Sequence, residues 1–318
     1  MSANIVKILV SDGLSPDGLA LLGKSGEVVS NPKITPAELL ALLPEYDALV
    51  VRSRTKVTAP VLEAGARLKV VGRAGVGVDN IDVAAAVARG VVVVNSPMAA
   101  SVSVAEHTLG LMLALARQIA AADASLKQGK WEKSAFMGGE LSGKTLGLLG
   151  LGRIGALVAN RAVAFGMSVL AYDPYLKETQ IRERNAEPAS FDAVVQGADY
   201  LSLHLPLTRE TRGLLGARQF EAMKPGARVV CAARGGVIDE AALRAALDSG
   251  HLAGAALDVF EQEPPAPGSL AAHPKVVATP HVGAQTAEAQ ARAGIAIAEE
   301  VTAVLAGKQP RWSVTQND

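Results

Sequence analysis

The 318-residue chain is long enough for two domains, each with its own core, and its 49% hydrophobic and 19% charged residues describe a globular chain rather than a disordered one. With 31 basic and 31 acidic residues the formal net charge is +0, which excludes a global field that would recruit nucleic acid or an anionic membrane. Any anion must therefore be held by local groups, and the single cysteine, Cys231, excludes an intramolecular disulfide.

At the start of the chain, "MSANIVKILVSDG" lacks the apolar core of a signal peptide, because Lys7 interrupts it after two apolar residues. The runs "IVKILVS", "EVVS", "DALVVRS", "LKVVGRAG" and "GVVVVNS" read as strands within the first 96 residues. Between them, Thr35, Pro36 and Glu38 form a capping box with proline at the first helical position, and Pro44 ends that helix. A long helical stretch, roughly residues 101 to 127, is apolar on most faces and reads as a connector buried between domains or subunits. Its most apolar segment, "LGLMLALA", is far shorter than a membrane span, so a cytoplasmic protein with no membrane partner is expected. From Thr145 the alternation restarts with "TLGLLG", "SVLAYD", "ADYLSLHLP", "ARVVCAARGG", "LAGAALDVF" and "KVVATPH". Strands alternating with helices predict an α/β fold of two doubly wound parallel-sheet (Rossmann-like) domains, with a cleft between them for cofactor and substrate.

The restart holds a fingerprint. Gly150, Gly152 and Gly155 sit where a strand turns into a helix spanning Arg153 to Phe165, which Gly166 closes. There Gly150 permits the tight turn, Gly152 lets backbone approach a pyrophosphate, and Gly155 lets helix and sheet pack closely. The helix N-terminus presents free N–H groups to an anion. The next strand ends in Asp173, placed to accept hydrogen bonds from a ribose 2′-hydroxyl and to repel a 2′-phosphate, so NAD is the expected cofactor. No metal is expected.

Hydride transfer needs a proton partner and an electrostatic handle on the substrate. Three residues in the second half each follow an apolar run: Arg234 in "CAARGGVIDE", Glu263 in "DVFEQEPP" and His281 in "ATPHVGA". Histidine is the natural acid and base for alcohol-to-ketone chemistry, a neighbouring carboxylate fixes its orientation, and arginine offers a planar fork to a carboxylate. Spacing alone does not choose between these roles and plainer ones, in which Arg234 pins its loop, Glu263 is a solvated charge and His281 caps the last helix.

From residue 5 to about residue 305 the chain resembles the D-isomer-specific 2-hydroxyacid dehydrogenases, and among them the members acting on 3-phospho-D-glycerate. The words that carry the resemblance are "VRSRTKVTAPVLEA", "VGRAGVGVDNID", "GKTLGLLGLGRIG", "CAARGGVIDEAAL", "GAALDVFEQEPP" and "TPHVGAQTAEAQ". It implies a substrate domain over residues 1–97 plus 286–318 and an NAD domain over 98–285. It further implies that Arg234 binds the substrate carboxylate and that His281, partnered by Glu263, exchanges the hydroxyl proton. Arg153 and Ile154 would meet the pyrophosphate, and His204, Ala232, Asp258 and Ala284 would line the cofactor site. The loop of Gly75, Val76 and Gly77 would offer N–H groups to the carboxylate.

A phosphorylated substrate calls for local cations, and Arg52, Arg54 and Arg73 stand at strand ends; Arg52 and Arg54, two apart, would share one face of an extended strand. Lys133 matches a place where relatives lend a base across a dimer interface, and a homodimer is implied. The alternatives are another small anionic 2-hydroxy or 2-keto acid (glyoxylate, hydroxypyruvate or sulfolactate) and an NAD-responsive corepressor-like binding protein. One departure stands out. Met98, Ala99 and Ala100 follow "NSP" where the phosphoglycerate-oxidising members commonly have asparagine and glycine. The closing "GKQPRWSVTQND" leads to the expectation of a short form without serine feedback through a C-terminal domain.

Overall fold

Short valine-, leucine- and alanine-rich runs form the strands of the computed structural model, which describes residues 5–315; the terminal residues of the quoted N- and C-terminal segments, 1–4 and 316–318, lie outside the described residues. In chain order the strands are β1 Lys7–Val10, β2 Glu27–Ser30, β3 Ala48–Val51, β4 Val70–Arg73, β5 Val92–Asn95, β6 Thr145–Leu149 and β7 Ser168–Tyr172. They continue with β8 Glu187–Pro188, β9 Tyr200–Leu203, β10 Arg228–Cys231, β11 Gly254–Leu257, β12 Val276–Ala278 and β13 Ser313–Val314.

The chain divides into two compact units, Met1–Ala100 with Gln285–Asp318, and Ser101–Ala284. The first holds a sheet of order β13-β5-β4-β3-β1-β2, parallel except for β13, which runs antiparallel to β5. The second holds an all-parallel sheet of order β12-β11-β10-β9-β6-β7-β8. Strands β3, β9 and β11 are buried at every residue, the pattern of parallel strands covered on both faces. Each such valine or leucine contributes about 1.5–3 kcal/mol on burial. Two two-residue strands, β8 and β13, had no periodic signal.

The capping box forms: Thr35 Oγ1 accepts from Glu38 N at 3.3 Å, Glu38 Oε2 accepts from Thr35 N at 2.8 Å, and the helix runs Pro36–Leu42. The single helix expected over 101 to 127 is instead two, Ser101–Ala116 and Ile119–Lys127, bent by 64°. Gln118 takes the left-handed conformation (φ 53°), and the Ala116 carbonyl accepts from Gly139 N at 2.9 Å rather than from a continuing turn. The first helix buries Leu109, Leu111, Met112 and Leu115 within the second unit, while the second helix buries nothing. Among the described residues no single helix is long and apolar enough to cross a membrane.

In the first unit the helix Ala287–Leu305 returns the chain to the sheet. Its Glu300, 1% exposed, accepts from Arg311 N at 2.6 Å, Arg311 Nε at 2.8 Å and Trp312 N at 3.1 Å, and so holds the segment that becomes β13. A carboxylate buried this deeply is tolerated because its oxygens are matched by a guanidinium and two N–H groups.

Candidate active site

In the second unit β10, β11 and β12 lie side by side and parallel, so the loops leaving their carboxyl ends open on one edge. Arg234 follows β10, Glu263 follows β11 and His281 follows β12. Neighbouring strands are about 4.8 Å apart, so residues remote in sequence come within reach. His281 Nδ1 lies 2.8 Å from Glu263 Oε2, with the two side chains 49% and 38% exposed. An ionised carboxylate only accepts, so Nδ1–H donates and Nε2 is not used by this pair. Glu263 Oε1 accepts from Phe260 N at 3.2 Å, which fixes the carboxylate. Arg234, on the adjacent loop, donates from Nη1 to the Ala233 carbonyl at 2.7 Å.

His281 has φ 52°, a conformation that L-residues adopt only under constraint. The constraint is visible: its N–H donates to the Asp258 and Thr279 carbonyls at 2.9 and 3.0 Å, and the Asp258 carboxylate accepts from Val282 N and Gly283 N, both at 2.8 Å. Burial opposes charge on Asp258, yet hydrogen bonds from His107, Thr279, Val282 and Gly283 hold its carboxyl below the usual carboxylate range. Asp258 thus organises the His281 loop in addition to its expected place beside the cofactor.

The residues expected to hold NAD fit it. Gly150 has φ 89°, and a Cβ there would stand 2.5 Å from the His204 carbonyl oxygen, so only glycine makes this turn. Gly152 opens the helix Arg153–Ala164 with no atom within 4 Å of where its Cβ would be, which leaves the helix N-terminus approachable by a pyrophosphate. Ile154 is partly buried in the first turn and Gly155 fully. Asp173 accepts from Leu151 N at 2.9 Å and Tyr175 N at 3.0 Å, one bond per oxygen, so each oxygen can still accept from a ribose hydroxyl. Ala232 is buried and Ala284 partly buried.

Burial pushes the His204 imidazole down to about 4, with Nε2 at 3.0 Å from Ser202 Oγ. The unfolded chain takes up this proton near pH 6.5, so between those values the unfolded state binds more protons and stability falls as pH falls, by about 3 kcal/mol in all. His204→Gln is therefore expected to lose less stability than the wild type between pH 7 and pH 4.5. Equal losses in urea melts at the two pH values would refute this account.

The first unit corrects two expectations. Strand β3 ends at Val51, and Arg52 to Thr55 form a turn, so Arg52 and Arg54 do not share a strand face. Asp12 dictates the turn by accepting from Arg52 N at 2.7 Å and Thr55 N at 3.0 Å, and Asn80 Nδ2 donates to the carbonyls of Arg52 and Thr55 at 2.9 and 2.6 Å. Arg54, with 49% of its side chain exposed, ties the turn to its neighbours: Nη1 donates to Ile34 O at 2.9 Å, and Nη2 reaches Ser11 O and, at 3.1 Å, Asp12 Oδ1. It braces the loop while about half of its side chain stays open to solvent. Arg52 Nη2 donates to a neutral group, Gln285 Oε1 at 3.3 Å, and burial lowers its guanidinium below the ordinary value against the pull of Asp12.

The second correction concerns the loop nest. Gly75 N donates to Arg73 O at 2.8 Å, so this N–H is turned inward and those of Val76 and Gly77 remain. Arg73, last in β4, lies across Gly75, with Nη1 only 1.4 Å from the point a Cβ there would occupy. Lys133 is exposed on the short turn Lys133–Phe136. The residues the sequence did not single out are Asp12, Asn80 and Thr279; the only signal for Asp12 was a turn-forming aspartate after a strand in "VSDG".

Comparison with known proteins agrees with the fold. Residues 109–283 match the family model described as "D-isomer specific 2-hydroxyacid dehydrogenase, NAD binding domain". The chain is 48% identical over 311 residues to a D-3-phosphoglycerate dehydrogenase of Archaeoglobus fulgidus, covering 97% of this chain and 59% of that protein. It thus spans about three fifths of the length of the curated relatives it matches. Among solved structures, the TT0316 protein from Thermus thermophilus superimposes with a TM-score of 0.89 at 36% identity, covering 98% of this chain and 100% of that one. An NADPH-dependent glyoxylate/hydroxypyruvate reductase from Sinorhizobium meliloti does so with 0.86 at 30% identity, over 97% of each chain. With the glycine turn, the strand-end aspartate and more than half of the chain within the family model, the second unit is an NAD-binding domain and the chain belongs to the D-isomer-specific 2-hydroxyacid dehydrogenase family.

Proposed function

We propose that the protein oxidises 3-phospho-D-glycerate to 3-phosphohydroxypyruvate with NAD, a step of serine biosynthesis. The observation that carries the reading is the accessible His281–Glu263 pair at 2.8 Å, beside the Arg234 loop, in a chain 48% identical to a relative of that name. Arg234 holds the substrate carboxylate through its planar fork and polarises the reacting oxygen. His281 Nε2 takes the hydroxyl proton in oxidation and returns it in reduction, while Glu263 keeps the proton on Nδ1 and stabilises the imidazolium that forms. Gly150, Gly152, Arg153, Ile154 and Asp173 hold NAD, which when bound accepts the hydride from C2. Arg52 supplies the cation for the phosphate.

The test is a panel of 3-phosphohydroxypyruvate, hydroxypyruvate, glyoxylate and sulfopyruvate with NADH. A strong kcat/KM preference for the phosphorylated acid is expected. Arg52→Ala should raise its KM by about 10- to 100-fold, the value of one or two charge-assisted hydrogen bonds. Arg54→Ala should instead cost stability. Comparable rates with an unphosphorylated or sulfonated acid would move the protein to another 2-hydroxy acid and leave the mechanism standing. Exposed Ile119, Leu126, Trp131 and Met137 support a homodimer, and the reading places the protein in the cytoplasm. Sedimentation of the same preparation as a monomer would count against the dimer.

A further inference from the structure

The helix Ser101–Ala116 brings a second histidine, His107, to the underside of the His281 loop. His107 Nε2 lies 3.1 Å from Thr279 Oγ1 and 3.4 Å from Asp258 Oδ1, and Thr279 Oγ1 lies 2.6 Å from the same Asp258 oxygen. An ionised Asp258 can only accept, so the Thr279 hydroxyl donates to it. The Thr279 oxygen is then an acceptor toward His107, which fixes the His107 proton on Nε2. The result is a directed chain, His107 Nε2–H to Thr279 O–H to Asp258, whose last member takes the two N–H groups that follow His281. Gly283 is seated on the same helix: a Cβ there would stand 3.1 Å from Asp258 Oδ2, 3.5 Å from Val104 Cγ2 and 3.6 Å from His107 Cδ2.

From this geometry we propose that His107 is a positioning residue for His281, acting through Thr279 and Asp258 to hold the left-handed turn from which His281 meets Glu263. The inference rests on the reading of His281 as acid and base. The Asp258 carboxylate could hold Val282 and Gly283 in more than one rotamer, and the donors on its far side select one. His107 thereby links the helix Ser101–Ala116 to the proton-transfer group.

The test uses the full chain with 13C-labelled histidine, whose five residues give five Cε1–H resonances, the one from His281 being identified by its loss in His281→Asn. His107→Leu removes the donor, and His107→Gln keeps an N–H at similar reach. In His107→Leu the His281 resonance is expected to shift or broaden, with kcat for 3-phosphohydroxypyruvate and NADH down about 10- to 100-fold and KM changed far less, as for a misplaced reacting group. His107→Gln should restore the resonance and bring kcat to within about threefold of wild type. A His281 resonance unmoved in His107→Leu, or a kcat that falls only in proportion to the folded fraction, would overturn the proposal. Full turnover by His281→Asn would overturn the acid–base reading instead, and the resonance in the His107 variants would still report whether His107 sets the place of His281.

Discussion

His281→Asn is expected to lower kcat by about 10²- to 10⁴-fold while NADH binding, followed by fluorescence, stays within a few fold of wild type. The asparagine can occupy the loop and approach Glu263, but it has no group that exchanges a proton near neutral pH. Glu263→Gln should be nearly as damaging for a different reason. Oε1 accepts from Phe260 N and Oε2 from His281 Nδ1, so both oxygens must be acceptors. A glutamine offers one oxygen and one NH2. If the oxygen stays on Phe260 N, the amide donates to His281 Nδ1, the proton moves to Nε2, and the imidazole can no longer take a proton from the substrate. Turnover above a tenth of wild type in either variant would refute the assignment.

Gly235→Ala should abolish the proposed activity without altering any charged group. A Cβ at Gly235 would stand 1.8 Å from the Phe260 carbonyl oxygen and 2.2 Å from its carbon, backbone atoms that cannot swing aside. Gly235 follows Arg234, and Phe260 N is the group that fixes Glu263. The contact therefore joins the loop after β10 to the loop after β11, and forcing it open displaces the arginine and the glutamate together. An expected displacement of about 1 Å corresponds to at least about 10²-fold in kcat/KM, with a stability loss of about 1–3 kcal/mol from overpacking. Gly110→Ala is the control. It lies mid-helix with nothing within 4 Å of its Cβ position, and should gain about 0.5–1 kcal/mol with activity unchanged. Equal behaviour of the two variants would show that the close approach is unimportant.

Most of the parallel strands were legible because they carry an apolar run bounded by turn residues. Strands β8 and β13 were not, since two residues leave no period to detect and one of them is proline. The bend at Gln118 had no glycine or proline to announce it; a tertiary hydrogen bond to Ala116 makes it. The glycine fingerprint and Asp173 could be placed on strand and helix by local pattern alone. Arg234, Glu263 and His281 could be singled out only as strand-end residues plus a resemblance, because the 2.8 Å pairing across 18 residues depends on the order of strands in the sheet. The hold of the Arg54 guanidinium on the Ile34 and Ser11 carbonyls was likewise invisible to local pattern, because those residues lie 20 and 43 positions upstream.

The Glu300 latch bears on the order in which the chain acquires structure. The second unit is one continuous segment whose sheet is complete once β12 has been made. The first unit needs both ends: the helix Ala287–Leu305 covers its strands and β13 pairs with β5, neither available until more than 200 residues after β3. During synthesis the nucleotide-binding half can therefore mature while the amino-terminal half waits, its valine-rich strands uncovered and in need of protection from association. Closure of the loop around the finished half is then a late, entropically costly event, and Arg311 and Trp312 docking on Glu300 would make it cooperative with the last strand. Weakening that dock would lengthen the vulnerable interval before it altered the finished molecule, so its first symptom would be a lower yield of folded chains.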